Sequence, residues 1–406
     1  MQQPRAASVE RSATFDGSGR LTAALGLMTA LGSLSIHMIV PALPSIAARL
    51  RIDQAEVQLT IGLYLVAIAL GQLGWGPLTD RFGRRPAMLW SLTLFCTGSA
   101  ICGLAPSIGW LLAGRVIQAL GSSGTLVASR AMIADLAVPG QAIGGLATLA
   151  TISLISPAIA PGIGGVLVEA GSWRTVFGLL FVTGMTVLAA AFRRFPETAR
   201  STGGSAAPWR TYAALLGTAR FMGVTIGAAA WTAMMYHFLA ASPFVLSEVY
   251  HLLPSQSGVF YLGVSGFMIG GSLLVRRMRR SAAVMLKGAI AIMTVGIVLL
   301  VTAAGGLIAG LPALLIPMAA CALASGICVP CALALAQESS PRAVATASSL
   351  FGALQMLTAA LVASTLSHRF DHGPALLLSI AALALVGCLC FLPVLSEPAG
   401  TKRAKA

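Results

Sequence analysis

The side chains that could carry charge in this chain are few and unevenly placed. Its 12 acidic residues lie in loops or near the ends of long apolar runs, and no run has a carboxylate at its centre. Two other groups break the apolar pattern. Arg115 stands about seven residues, or ~10 Å at 1.5 Å per residue, inside one run. A guanidinium is expensive to hold in hydrocarbon, so Arg115 is expected to face a polar cavity or a partner. The alternative is a side chain stretched back to the membrane surface. His37 stands at a similar depth in another run. Imidazole titrates closest to neutral pH, so a cavity-facing histidine can take up and release protons. The plainer alternative is a neutral ring bonded to a backbone carbonyl.

The densest polar stretch runs from Gly76 to Arg85. One carboxylate, Asp80, sits beside Arg81, Arg84 and Arg85, while Gly76, Pro77 and Gly83 let the chain turn sharply between two apolar runs. The expectation is a cationic turn tied down by Asp80. A second pattern, Ser156 to Gly165, mixes prolines (Pro157, Pro161) with glycines (Gly162, Gly164, Gly165). Small residues let helices approach closely and prolines interrupt the hydrogen-bond ladder, so a bent, tightly packed helix is predicted.

Other chemistry is excluded or weak. Cys328 and Cys331 have a redox or metal spacing, but no second pair or nearby histidine completes a site. The seven cysteines are read as small buried thiols, with no metal and no cofactor. No phosphate-binding Gly-x-x-x-x-Gly-Lys-Ser/Thr run is present, so nucleotide hydrolysis does not drive the chain. Neither His-Glu-x-x-His nor paired intramembrane acids point to an enzyme.

The elements that must position these residues follow from composition. Of 406 residues, 57% are hydrophobic and 9% charged, against roughly 25% charged in a soluble domain. Such a chain has lipid for its solvent. The net charge of +14 could point to nucleic acid, but the basic residues sit at the ends of apolar runs rather than on one face, so no nucleic-acid partner is expected. A crossing helix needs ~20 apolar residues. Twelve spans are predicted, at about 21–44, 56–77, 86–105, 108–128, 143–167, 174–193, 221–246, 256–275, 284–304, 309–331, 343–366 and 373–393. With both termini on the cytoplasmic side, most of the 26 Lys and Arg residues fall inside. Only Arg49, Arg51, Arg174 and Arg369 fall outside.

Residues 1–20 read as a cytoplasmic tail, 21–193 and 221–393 as two six-helix bundles, 194–220 as a cytoplasmic linker and 394–406 as a second tail. The linker's centre, 200–208, is small and polar and reads as flexible. A weak repeat at a shift of about 200 residues lays His37 over His237, Gly71 near Gly270, and Asp80 and Arg81 near Arg279 and Arg280. Paired repeats around a central site are a transporter arrangement.

The spacing of Gly76, Asp80, Arg81, Gly83, Arg84 and Arg85 resembles the signature loop between helices 2 and 3 of the major facilitator superfamily. Arg115, Gln118 and Gly121 resemble that superfamily's helix 4 motif, whose arginine is implicated in proton coupling. The run from Leu34 to Pro44 resembles helix 1 of the Bcr/CflA branch of drug:proton antiporters. Gln58, Thr60, Tyr64, Trp173, Arg174, Pro196, Glu197, Thr198, Ser242, Pro243, Phe244, Ala347, Ser348 and Ser349 extend the likeness through both halves. Residues Pro157, Pro161, Gly162, Gly164 and Gly165 resemble the helix 5 motif that marks exporters, with Ala160 where a glycine is usual. His37 departs from the branch, which usually has an aspartate there.

The resemblance implies an all-α membrane protein of 12 transmembrane helices in two pseudo-symmetric six-helix bundles. It further implies a monomer in the bacterial inner membrane that exports small, moderately hydrophobic compounds by proton antiport with alternating access. On this reading the Gly76–Arg85 loop is a conformational latch, and His37 and Arg115 couple protons. Tyr64, Gln118, Trp231, Tyr236 and His237 are the substrate candidates, the aromatic ones combining apolar area with hydrogen-bonding tips. A facilitator or symporter for a metabolite such as a sugar, amino acid or nucleoside is the rival reading, favoured by the missing buried acid.

Overall fold

A chain segment in lipid has no water for its N–H and C=O groups, so each apolar run must satisfy them within its own helix. The structure, a computed structural model, describes residues 19–136, 142–198, 208–278, 280–339, 344–366 and 373–396. Every regular element among them is helical. The first span is α1 (Gly19–Met38), continued through a short turn (Val40–Ala42) by α2 (Leu43–Leu50), with Pro41 and Pro44 at the breaks. The rest of the first half is α3 (Gln54–Phe82), α4 (Arg84–Leu104), α5 (Ile108–Leu136), α6 (Ala142–Ala170) and α7 (Trp173–Arg194). A short helix, α8 (Pro208–Leu216), precedes the second half. There α9 (Ala219–Phe244), α10 (Pro254–Met278), α11 (Ala282–Ala304), α12 (Pro312–Glu338), α13 (Val344–Thr365) and α14 (Gly373–Ser396) follow. Eleven spans among the described residues are long and apolar enough to cross a membrane. Helix α6, at 29 residues, supplies the twelfth long element.

Three polar segments differ from the expectation. Helix α3 runs through Gly76 and Pro77 to Phe82, so the turn narrows to Gly83 alone, whose φ of 95° is open to glycine and strained for other residues. Helix α5 continues to Leu136, which puts Arg130 and Asp135 on its last turns rather than in a loop. Helix α8 forms where only a linker was expected. Residues 1–18 and 397–406 of the tails, the linker centre at 199–207 and Arg369 lie outside the described residues.

The same packing scheme recurs in both halves. Helix α3 packs on α5 and α4 on α5; their counterparts are α10 on α12 and α11 on α12. Gly71 of α3 lets α5 approach at Ser123, and Gly271 of α10 lets α12 approach at Leu323 and Ile327. The repeat is therefore in register at Gly271; Gly270 faces open space. Two seams, α6 against α10 and α3 against α13, join the halves.

Many contacts between the halves lie toward the end of the bundle away from Asp80. Glu169 accepts from the Ser255 hydroxyl (2.9 Å), Gln58 donates to the Ala240 carbonyl (3.3 Å), and Gly258 sits against Gly162. A cavity of about 270 Å³ lined by Pro41, Pro44, Pro243, Leu252 and Pro254 lies among them. At the Asp80 end three ion pairs among the described residues each join groups of one half. Arg84 pairs with Asp80 and Asp135 in the first, and Arg220 with Glu338 in the second.

Candidate functional site

Arg115 does not reach the membrane surface. It is 0% exposed. From α5 its Nη1 donates to the Ser35 carbonyl (3.2 Å) and hydroxyl (2.8 Å) on α1 and to Gln118 Oε1 (2.7 Å). Its Nε donates to the Thr60 carbonyl on α3 (3.3 Å), and its guanidinium lies over the Tyr64 ring at 3.8 Å. Nη2 has no hydrogen-bond partner among the described residues. All these acceptors are neutral. A buried cation without a counter-ion is costly, and here carbonyl dipoles and a π face partly offset that cost.

The network extends outward from Arg115. Gln118 Nε2 donates to Ser99 on α4 (2.8 Å), and the Tyr64 hydroxyl donates to the Gly32 carbonyl (3.2 Å) or meets Ser122 (3.1 Å). Four helices of the first half, α1, α3, α4 and α5, are tied together around one charge.

His37 is half-buried on α1. Its Nδ1 lies 2.7 Å from the Ser33 carbonyl, an acceptor only, so Nδ1 carries a proton and Nε2 is left as the free titrating position. The ring lies 6.3 Å from that of Tyr236 on α9, so the two face each other between the halves. The plain alternative for His37, a ring bonded to a backbone carbonyl, is thus realised at one nitrogen and left open at the other. Ser35, two residues earlier on α1, belongs to the Arg115 network, but residues two apart on a helix do not face each other.

The substrate candidates divide into three groups. Tyr236 alone stands on the gap between halves. Tyr64 and Gln118 are buried inside the Arg115 network. Trp231 and His237 are fastened to α14: the Trp231 indole donates to the Ala384 carbonyl (3.0 Å), and its ring packs edge-on to Phe391. His237 Nε2 lies 2.7 Å from the Ser379 hydroxyl, whose own proton goes to the Leu376 carbonyl; Nε2 is therefore the donor.

The Gly76–Arg85 stretch is anchored more widely than its sequence indicates. Arg84 bonds Asp80 one turn back and Asp135 of α5 (3.0 Å). The Glu197 carboxylate accepts from the backbone N–H of Arg84 (2.9 Å) and Arg85 (3.1 Å), capping α4 where the helix dipole favours an anion. Arg85 reaches the Phe192 carbonyl (2.8 Å), and Arg81 lies over the Phe82 ring. A side chain at Gly83 would strike Glu197. Asp135 and Glu197 were not among the expected site residues. Asp135 had no signal beyond being a carboxylate near a helix end, and Glu197 stood out only as part of the Pro196–Thr198 likeness.

The helix 5 pattern is a packing surface. Gly164 lies against the backbone of Met38 on α1, Gly165 against that of Pro254 on α10, and the Pro161 carbonyl against Gly258. The Pro157 carbonyl accepts from Ser265 (3.3 Å). All seven cysteines are free, and six are buried.

The sequence model of the Major Facilitator Superfamily matches residues 25–363. The chain belongs to this superfamily. It is 28% identical over 397 residues to an uncharacterised MFS-type transporter, YdgK, of Bacillus subtilis, covering 95% of this chain and 98% of that one. It is 27% identical to multidrug resistance protein D of Escherichia coli, covering 91% and 94%, and 26% identical to a bicyclomycin resistance protein homolog of Haemophilus influenzae, covering 90% and 94%. The solved structure of a bacterial homolog to the human lysosomal transporter Spinster, inward-facing and occupied, superposes with a TM-score of 0.75 over 93% of this chain and 96% of that one at 16% identity. That likeness concerns the fold. This superfamily member is therefore an all-α, multi-pass membrane transporter.

Proposed function

We propose that the chain is a secondary active exporter of small, moderately hydrophobic compounds, drugs or toxic metabolites, driven by proton antiport. The observation that carries this reading is the His37–Tyr236 pair, which stands between the halves, with His37 on the same helix, α1, whose Ser35 bonds the buried, uncompensated Arg115. A proton gained at His37 Nε2 places a positive charge at the gap between the halves, on the helix that also holds Arg115 through Ser35. That changes the relative energy of two arrangements of the halves, which is what coupling requires. Relatives named for multidrug and bicyclomycin resistance support efflux.

On this reading both termini are cytoplasmic, the membrane is the bacterial inner membrane, and a monomer carries out transport. The structure then corresponds to the inward-open state, because the seams close the end away from Asp80. The Asp80–Arg84–Asp135–Glu197 cluster holds the inner ends of α3, α4, α5 and α7 as one body, and the halves rock about the central gap. Tyr236 offers an aromatic face and a hydroxyl to substrate; Tyr64, Gln118, Trp231 and His237 enter the site on rearrangement of the helices.

A second reading, a facilitator or symporter for a metabolite, is favoured by the neutral surroundings of Arg115. One experiment separates the two. A pump-deleted bacterium expressing the chain is first screened for the toxic compounds it survives. Vesicles containing the purified protein and one such compound are then given a pH jump. Proton antiport requires substrate movement opposite to the imposed gradient; movement indifferent to the gradient overturns it.

A further inference from the structure

A groove on the membrane-facing side of the first half is not used by any of this machinery. It has a volume of about 720 Å³ and runs between α4 and α7. One wall is a stripe of α4 that includes Thr93, Ile101 and Leu104; the other is Phe181, Met185 and Leu188 of α7. From Thr93 to Leu104 the groove covers ~16 Å at 1.5 Å per residue, close to half of a hydrocarbon core ~30 Å thick. Its length is that of one leaflet.

The α7 wall continues at helical spacing beyond the groove. Phe181, Gly178 and Arg174 follow one another on the same face, and a side chain at Gly178 would meet open space. Arg174 therefore lies at the mouth. One of its nitrogens donates to the carbonyl of Ala105 (2.8 Å), between Leu104 and Pro106 of the groove. The guanidinium also lies over the Trp173 ring, 4.2 Å from its centroid, and its other N–H groups make no hydrogen bond among the described residues. Trp110, 58% exposed, borders the same mouth, where amphipathic rings mark the headgroup level.

We propose that this groove is a binding site for an anionic phospholipid of the leaflet on the Arg174 side. One acyl chain lies between α4 and α7, and the phosphate meets the guanidinium of Arg174 and the indole of Trp110. The site depends on the membrane topology alone and holds whichever substrate the chain carries. A lipid held there ties α4 to α7 at the end opposite the Glu197 cap, so the two helices move together.

Native mass spectrometry of the full-length protein tests this. The delipidated chain is mixed with phosphatidylglycerol or with phosphatidylcholine of the same acyl chains. The wild type should retain phosphatidylglycerol preferentially. Arg174→Gln should reduce that preference about five-fold, the effect of ~1 kcal/mol per basic residue near an anionic headgroup, and Arg174→Lys should keep it. Gly178→Leu, whose side chain enters open space and so spares the fold, should lower retention of both lipids. If Gln and Leu variants retain both lipids like the wild type, the site does not exist. If Gly178→Leu instead abolishes transport with lipid retention unchanged, the groove takes substrate and the proposal fails. Loss of a wild-type dimer in that variant would assign the groove to a second copy, again overturning it.

Discussion

The guanidinium of Arg115 lies over the ring of Tyr64, 3.8 Å from its centroid, and every hydrogen bond it makes ends on a neutral oxygen. Planarity matters here. A guanidinium can stack and fork its donors at once, whereas an ammonium cannot. Arg115→Lys should therefore reduce transport at least about tenfold, equivalent to ~1.4 kcal/mol, with expression unchanged. Tyr64→Phe keeps the face and loses only the hydroxyl bonds, so it should stay within about threefold of wild type. Tyr64→Leu should resemble Arg115→Lys. Uptake into inverted vesicles reads all three, and a fully active Tyr64→Leu chain would remove the stack from the mechanism.

Glu197 and Asp80 act on the two sides of one break. Glu197 caps α4 through two backbone N–H groups, and Asp80 holds Arg84 from the end of α3. Glu197 is exposed, so Glu197→Ala should lower the melting stability only by about 0.5–1 kcal/mol, the lower range for a lost cap. Glu197→Gln keeps acceptor oxygen and should lose less. Asp80→Asn leaves the cap intact but weakens the Arg84 pair, and should reduce transport while expression and melting hold. Undiminished transport in Asp80→Asn would argue against a latch.

His37 presents a single free nitrogen to the gap because Ser33 holds the other. Its protonation state should therefore set how transport varies with pH. His37→Asp replaces an imidazole by a carboxylate with a different ordinary pKa and no fixed donor. The pH profile of vesicle transport should move along the axis, and Tyr236→Phe, which keeps the facing ring, should leave it in place. An identical profile for His37→Asp takes this residue out of the coupling scheme.

The orientation rests on the distribution of Lys and Arg. Single cysteines at Arg49 and Arg276, in a chain otherwise freed of accessible thiols, should differ in labelling by a membrane-impermeant maleimide applied to intact cells. Arg49→Cys should react and Arg276→Cys should not, until the cells are opened. Equal labelling of the two would invert or dismantle the threading.

Most of the helices were legible because an apolar run of some 20 residues has few other stable forms in lipid. Their ends were less so. Arg130 reads as a loop residue by charge, yet α5 continues past it to Leu136. The partners of Arg84 were hidden for another reason. Asp135 and Glu197 are 51 and 113 residues from it, and nothing local marks the encounter. Backbone carbonyls have no sequence signature at all, so the neutral setting of Arg115 was invisible while its depth was not. Trp231 is buried, but a helix apolar all round does not reveal which neighbour a given face meets. Gly387 of α14 takes the indole.

Gly165 offers a test of which end of the molecule closes. It lies where α6 meets the backbone at Pro254 of α10, and one turn further Glu169 bonds Ser255 across the same seam. Val at position 165 would have to displace backbone, which costs roughly 1–3 kcal/mol in a packed core. The strain exists only while the seam is closed, so it should shift the equilibrium about tenfold toward the state in which that end opens. Cysteines placed at Glu169 and Ser255 should be joined by a short thiol cross-linker in the parent chain and much less in Gly165→Val, and vesicle transport should fall in parallel. Ala at position 165 should give an intermediate result. Equal cross-linking in all three chains would mean that this seam does not part during the cycle, and alternation would have to be sought elsewhere.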